Sequence, residues 1–462
     1  MNVVLINPYE LGRQPFGLAE PVAWLKANDC VVECLDLSIQ RLDPDIVGKA
    51  DVVAIYAAMH TATRIAFEAL PRIREMAPNA HLCVFGLYAP MNEDLFRKSG
   101  VGTVLGGEFE PGLLSMVNRL RLGQGEAQTE PVINLSKIEF LVPDRSGLPD
   151  LAQYAHLNMP EAGQKITGFV ETTRGCKHLC RHCPVVPVYK GKFRVIPLNI
   201  VMEDIRNQVA AGAEHISFGD PDFLNGPTHA VKIVQAMHKE FPSLTYDATI
   251  KIQHIIGFPE ILPVLKNTGC LFITSAVEAV DNNILQYLQK NHTDEDFRQA
   301  VALCKEAGIA LAPTFVAFTP WTTLSGYIEL LQRLVDLKLV ESVPPIQLAI
   351  RLLIPQGSYL LQLPEFRELI QDFDEKLLGY PWKHRDARVD ELQQAIQEFV
   401  ARAEQEKQGR LTVFQEIWRM AHMASGQPVP QLPSGDLGSP ISHLSEAWYC
   451  CAEPTNQQLQ SF

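Results

Sequence analysis

The sequence predicts an α/β protein: a parallel-sheet domain covered by helices, then a partial (βα)6 barrel, then a helical C-terminal region. Three observations carry that prediction. Strand-length apolar runs recur through residues 1–122, with a helix-length amphipathic segment between each pair. Further runs recur in the same βα rhythm across 166–357. From 358 to 425, Leu, Phe, Ile and Val return every three to four residues, as in Gln394-Ala395-Ile396-Gln397-Glu398-Phe399-Val400.

In the first domain the strands are expected at Val3–Ile6, Val31–Leu35, Val52–Ile55 and Leu82–Phe85. Ligands of such sheets bind beyond the carboxyl ends of the strands. Asn7-Pro8-Tyr9, Tyr56–His60, Gly86-Leu87-Tyr88 and Gly106-Gly107-Glu108 occupy that edge. Residues 123–165 are polar, with scattered Gly, Pro and Gln, and read as a linker. The barrel strands are expected near Gly168–Thr172, His215–Phe218, Thr245–Ala248, Leu271–Thr274, Ala310–Phe315 and Ile346–Ile350. Barrels place their chemistry at the carboxyl ends of the strands, so the residues following each strand are site candidates. The tail, 426–462, is rich in Pro, Gly and Ser until it reaches Trp448-Tyr449-Cys450-Cys451-Ala452-Glu453-Pro454.

Hydrophobic residues make up 47% of the chain and charged residues 20%, the proportions of a globular protein. A net charge of −13 argues against a nucleic-acid footprint or an anionic membrane surface. The start, Met-Asn-Val-Val-Leu-Ile-Asn-Pro, lacks a basic, long-apolar signal, and no window approaches about eighteen uninterrupted apolar residues. The expectation is a cytoplasmic protein acting on a small molecule or a protein. Ten cysteines are too few and too irregular for a disulfide scaffold. Cys30, Cys34, Cys83, Cys270 and Cys304 sit among apolar neighbours and read as core residues.

Cys176, Cys180 and Cys183 are different. They lie in Glu-Thr-Thr-Arg-Gly-Cys-Lys-His-Leu-Cys-Arg-His-Cys-Pro, directly after an expected strand. Electron-transfer 4Fe-4S clusters take four thiolates; a CxxxCxxC loop supplies three and leaves one iron open for a small molecule. The alternative is structural zinc, with His178 or His182 completing the set. The motif resembles that of the radical S-adenosylmethionine (SAM) enzymes, over roughly 166–355.

That resemblance implies a 4Fe-4S cluster on Cys176, Cys180 and Cys183, SAM at its open iron, and a reductant such as flavodoxin or ferredoxin. It places His182 near the adenine, Gly219 and Asp220 near the SAM amine, Ser275 and Glu278 at the ribose and carboxylate, and Arg351 as a fork onto a carboxylate. The basic loop residues Lys177, Arg181, Lys190, Lys192 and Arg194 read as a solvated loop, with docking of an electron donor as the alternative.

The Rossmann-like N-terminal layout resembles the cobalamin-binding domains that precede many radical SAM barrels. Family members carry a Gly-Gly-Pro-His type turn where this chain has Phe85-Gly86-Leu87-Tyr88, and no Asp-x-His-x-x-Gly motif offers a cobalt ligand. Bulky Leu87 and Tyr88 would crowd a corrin. The expectation is a retained scaffold without tight cobalamin, with cobalamin binding as the alternative.

Adjacent Cys450 and Cys451 select soft metals or metalloids. The ending Cys-Cys-Ala-Glu-Pro resembles the radical SAM (seleno)protein group with a CUAEP or CCAEP tail, which is similar to the arsenic-modifying radical enzyme of arsinothricin biosynthesis. The resemblance implies transfer of the 3-amino-3-carboxypropyl group of SAM to trivalent arsenic held by Cys450 and Cys451, with arsenite as the substrate. Two rival readings are a cobalamin-dependent radical methyltransferase and a non-catalytic sensor of redox state or metalloid.

Overall fold

The computed structural model describes residues 1–125, 127–433 and 435–446. Cys450 and Cys451 therefore lie outside the described residues. Strands β1 (Asn2–Asn7), β2 (Val31–Asp36), β3 (Val52–Tyr56), β4 (His81–Phe85), β5 (Thr103–Gly107) and β6 (Ile133–Asn134) form one sheet in the order β2-β1-β3-β4-β5-β6. All its pairings are parallel. Its central strands are continuous apolar runs because both faces are covered. Val4, Ile6, Val53 and Ile55 pack on one face against the helix His60–Met76. Alternate residues Val3, Leu5, Val52 and Ala54 pack on the other against Phe16–Lys26 and Glu110–Arg121.

The four expected strands are present, and β5 and β6 extend the sheet. Residues 123–165 are more ordered than a linker. Arg145 reaches across to Asp204 Oδ2 at 2.9 Å and to the Phe169 carbonyl at 2.8 Å. Polar side chains tie this segment down, and apolar periodicity cannot reveal such ties.

The second sheet contains β7 (His156–Met159), β8 (Gly163–Val170), β11 (His215–Phe218), β12 (Thr245–Thr249), β13 (Cys270–Glu278), β14 (Ala310–Phe315) and β15 (His443–Leu444), in the order β14-β13-β12-β11-β8-β7-β15. Strands β8 to β14 run parallel, while β7 and β15 pair antiparallel at one edge. Between β8 and β11, β9 (Thr173–Gly175) and β10 (Phe193–Val195) form a hairpin around the cysteine loop. At the sixth expected strand, Ile346–Ile350, the chain instead makes a 3₁₀ turn over Pro345–Leu348, and a single parallel bridge, Phe318–Arg351, holds that place. Pro344 and Pro345 lack the N–H groups a ladder needs.

Helices Leu198–Ala210, Pro227–Glu240, Asp294–Ala307 and Leu324–Asp336 cover the curled half-barrel. The third shows clear local encoding: a Thr293–Asp296 capping box starts it, and Gly308 ends it at φ 68°. The C-terminal helices Ala387–Gln405 and Arg410–Ala424 share the barrel's core through Ile396, Val400, Phe414 and Ile417. Among the described residues, no helix is long and apolar enough to cross a membrane. Cys30, Cys34, Cys83, Cys270 and Cys304 are buried. Burial pushes the Cys304 thiol up to about 12 and Cys270 well above its ordinary value, so neither offers a ready thiolate.

Candidate active site

The hairpin β9–β10 sets up the cysteine loop. Gly175 has φ 73°, and a Cβ there would lie 2.5 Å from the Lys192 carbonyl oxygen, so the backbones approach this closely only without a side chain. Beyond it, Cys176, Cys180 and Cys183 line one cavity of about 210 Å³ at the carboxyl ends of the barrel strands. Burial pushes the Cys176 thiol up, and the His178 backbone N–H opposes it. Lys251 Nζ, itself buried, lies 3.4 Å from Cys180 Sγ.

The thiols are too widely spread for one zinc ion. Zn–S bonds of about 2.3 Å bring tetrahedral thiolates within about 4 Å of one another. Among the described residues, the set of three or more ligating groups that converge within 4.8 Å is His178, Asp222 and His254, not the thiols. A spread three-thiolate set fits a polynuclear cluster. Thiolates and cluster together concentrate negative charge, which the ammonium of Lys251 offsets.

A second cation stands opposite. Lys290 is 3% exposed and donates to Glu278 Oε1 at 3.2 Å, and His182 Nε2 lies 3.1 Å from the same oxygen. Burial alone would neutralise both partners. Instead Lys290, followed by His182, holds the Glu278 carboxyl well below the usual carboxylate range, and Glu278 with the nearby thiols holds Lys290 above the ordinary lysine value. Glu278 occupies φ 71° beside an irregularity in the β13–β14 register. A non-glycine residue there is strained, and such strain gathers at functional sites. Asp222 is buried beneath the loop, 3.2 Å from His178 Nε2 and 2.7 Å from His254 Nδ1. Burial would raise its carboxyl, but these histidines hold it well below the usual range.

The candidate residues separate into two groups. His182, Gly219 and Glu278 line the cavity with the three cysteines. A Cβ at Gly219 would lie 2.1 Å from the Phe169 ring, which accounts for glycine by packing alone. The other three are turned elsewhere. Asp220 accepts from the Thr172 N–H at 3.0 Å and from the Thr172 and Thr173 hydroxyls at 2.7 and 2.5 Å, so its carboxylate anchors the start of the loop. Burial raises it to about 6. Ser275 falls out of phase with Phe272, Thr274 and Ala276, the β13 residues that face the interior, and among the described residues its buried hydroxyl has no partner. Arg351 pairs with Asp390 at 2.7 Å and stacks on Trp382, because the missing sixth strand leaves it outside the cavity lining. Lys251, Lys290 and Asp222 escaped sequence reading. A lone lysine between isoleucines, Ile250-Lys251-Ile252, was the available signal.

A Radical SAM superfamily profile matches residues 170–321, from the end of β8 to just past β14. Residues 170–321 thus match a radical SAM domain. The chain is 24% identical over 318 residues to a putative methylthiotransferase of Methanocaldococcus jannaschii, covering 65% of this chain and 68% of that one. It is 21% identical over 215 residues to the ribosomal protein uS12 methylthiotransferase of Geobacter sulfurreducens, covering 42% of this chain and spanning about half of that relative, 47%. Two solved structures share the fold beyond the radical SAM domain. The cobalamin-dependent SAM radical enzyme OxsB, with aqua-cobalamin bound, superposes with a TM-score of 0.70 at 16% identity, over 87% of this chain and 67% of its own. The radical SAM methyltransferase TsrM from Kitasatospora setae, with cobalamin and a [4Fe-4S] cluster bound, gives 0.58 at 17%, over 73% and 70%.

The N-terminal sheet edge beside the cysteine loop is occupied by the protein's own side chains. Ala58, Met59, Leu87 and Tyr88 of the N-terminal sheet edge line the same cavity as the three cysteines. Tyr88 is 1% exposed and packs edge-on against His60, whose Nε2 is held 2.7 Å from the Leu377 carbonyl oxygen. Deeper in the edge, Tyr56, Phe85 and Phe109 form a ring cluster with centroids 5.0 to 6.1 Å apart. The Tyr56 ring lies 2.1 Å from where a Gly17 Cβ would be, so that seam is filled with protein.

Proposed function

We propose that this radical SAM enzyme cleaves SAM reductively without cobalamin and transfers its 3-amino-3-carboxypropyl group to trivalent arsenic held by Cys450 and Cys451. The observation that carries the core of this reading is the convergence of Cys176, Cys180 and Cys183 on a cavity that also holds Lys251, Lys290 and Glu278. The three cysteines would hold a 4Fe-4S cluster, which supplies one-electron reduction of a bound sulfonium. The protein's part is electrostatic and steric. Lys251 and Lys290 offset negative charge at the thiolates, Glu278 keeps Lys290 charged and His182 oriented, and Leu87 and Tyr88 keep water from the cavity.

The transfer balances without an added oxidant. The sulfonium–Cγ bond breaks, methylthioadenosine leaves, and an arsenic–carbon bond forms. The two electrons that the sulfonium centre gains overall are those lost as arsenic passes from trivalent to pentavalent, so the single electron lent for the cleavage is returned, and water displaces the two thiolates as the product leaves. Support for arsenic is the vicinal thiol pair, whose soft sulfur matches trivalent arsenic. Likeness to OxsB and TsrM favours a second reading, cobalamin-dependent methylation, and the filled sheet edge weighs against it.

Product analysis separates the readings. Under reducing conditions with arsenite, methylthioadenosine and an arsenic-bearing amino acid are expected. S-adenosylhomocysteine with a required corrin would move the assignment to the methyltransferase. Failure to cleave SAM at all would leave the sensor. Replacing Cys450 and Cys451 together by serine should preserve cluster and SAM binding and abolish the arsenic product.

A further inference from the structure

Three side chains packed beneath the cysteine loop, His178, Asp222 and His254, have no task in the SAM chemistry proposed above. They come from separate parts of the chain. His178 lies inside the loop, between Cys176 and Cys180; Asp222 follows the end of β11 by four residues; His254 stands on the short helix Ile252–Gly257 after β12. Strands β11 and β12 pair in parallel, so the segments leaving their carboxyl ends meet under the loop.

The ligating atoms converge there. His178 Nε2 lies 3.2 Å and His254 Nδ1 2.7 Å from the same oxygen, Asp222 Oδ2, and one ligating atom from each residue falls within 4.8 Å of the other two. Metal–nitrogen and metal–oxygen bonds of about 2.0–2.1 Å, as zinc makes, put tetrahedral ligand atoms roughly 3.3 Å apart. Small shifts would seat one ion among them. The two rings are tilted by 53° with centroids 5.0 Å apart, so their nitrogens can approach one point from different sides. The other carboxylate oxygen, Asp222 Oδ1, accepts from the Lys251 N–H at 3.3 Å, which leaves Oδ2 to the histidines.

Hydrogen bonding accounts for only half of this arrangement. His178 Nε2 shares a hydrogen bond with Asp222 Oδ2. His254 Nδ1 is closer, yet it is buried with no hydrogen-bond partner among the described residues, in a side chain whose residue is 6% exposed beside an Asp222 that is 0% exposed. A buried ring nitrogen 2.7 Å from a carboxylate oxygen, with no proton directed between them, sets two lone pairs against each other. A cation shared by the two atoms removes that repulsion.

We propose that His178, Asp222 and His254 bind one divalent transition-metal ion, zinc or ferrous iron, which clamps the cysteine loop to the segments after β11 and β12. Two imidazoles and one carboxylate are a donor set that both ions take, with the remaining position left to water or another small ligand. The clamp holds the loop from outside the cluster. Across the same seam the Asn225 side chain accepts from the Lys177 N–H at 3.4 Å, a much weaker tie. A divalent ion on one carboxylate keeps a net positive charge, which adds to that of Lys251 in offsetting the thiolates. None of this depends on which bond of SAM breaks.

The test uses the full-length, cluster-loaded protein under anaerobic conditions, with zinc chloride as the probe, and needs no turnover. Zinc generally binds such a set more tightly than ferrous iron, so it fills the site whichever ion is native. Metal analysis after desalting should give one zinc per chain beside the cluster iron. Zinc-edge X-ray absorption should show nitrogen and oxygen neighbours at about 2.0–2.1 Å and no sulfur shell near about 2.3 Å. His254→Gln keeps bulk and hydrogen-bonding groups but removes a ligand, and should weaken zinc binding by at least the roughly 10–100-fold lost with an outer-shell partner. A sulfur shell would put the zinc on the cysteines, and equal zinc affinity in parent and His254→Gln would make it an adventitious ion only; either result, or no zinc in the loaded parent, would overturn the proposal. If His254→Gln loses its cluster, the parent's zinc-edge spectrum still decides. Failure here leaves the cluster and SAM reading intact, because that reading rests on the three thiols.

Discussion

Replacing Glu110 by glutamine should change how stability depends on pH, because Arg174 is one cation shared by four carboxylates. It contacts Glu20 closely and lies 2.7 Å from Glu110, 3.4 Å from Glu108 and 3.5 Å from Glu171. Glu20, Glu108 and Glu110 are at most 1% exposed. Burial pushes Glu110 well above the carboxylate range, with Glu108 adding to the rise. Burial also raises Glu171 well above its usual value and Glu108 to about 7. The unfolded chain ionises these groups in the ordinary carboxylate range, whereas burial holds the Glu110 proton in the folded chain to higher pH. The folded state binds more protons, so stability falls as pH rises, by about 1.4 kcal/mol per pH unit for each retained proton.

Glu10, which burial raises to about 8, adds to the same fall in parent and variant alike. Burial lowers His60 to about 4 and His292 to about 3, so each adds stability with rising pH only up to about pH 6.5, where the unfolded ring becomes neutral. Glu278 and Asp222, held low, are ionised in both states throughout. Glutamine keeps an oxygen for Arg174 and has no proton to lose. Urea unfolding of the anaerobic protein above the ordinary carboxylate range should give Glu110→Gln a shallower fall of stability with pH than the parent. Parallel slopes would refute the claim that Glu110 stays protonated.

Changing Cys176, Cys180 or Cys183 singly to alanine should abolish the SAM-dependent shift of the reduced cluster's paramagnetic signal; one retained equivalent of zinc and no iron would contradict the cluster assignment. Lys251→Met should lower the cluster's reduction potential, by about 60 mV for a tenfold change in the one-electron equilibrium, and an unchanged potentiometric titration would remove Lys251 from the charge balance. Reconstitution with hydroxocobalamin should leave no stoichiometric corrin absorbance, whereas retained corrin after desalting would show that Leu87 and Tyr88 yield.

The parts of this protein written in contiguous residues were legible in its sequence. The cysteine loop, four strands of the first sheet and five of the barrel follow from spacing and apolar runs. Contacts between distant residues were not legible. Arg174 meets Glu20 and Glu108 across 154 and 66 positions, and nothing local distinguishes those glutamates from solvated ones. Arg351 was misplaced because its role depended on a strand that the proline pair prevents. Ser275 was misplaced by phase: it lies one residue from Thr274, which does face the interior.

The missing strand has its own consequence. Where a sixth strand would have offered a backbone carbonyl to the edge of β14, the Gln347 side chain does so, its Oε1 accepting from the Phe315 N–H at 3.1 Å. A side chain replaces a ladder rung, and the space a full strand would occupy stays open. Pro344, Pro345 and Gln347 all border a second cavity of the half-barrel, of about 330 Å³. Two residues that can donate no backbone hydrogen bond thus border the cavity where a paired strand would otherwise run. Restoring those donors would let β14 pair further and fill that space, without any change to the residues of the cysteine loop.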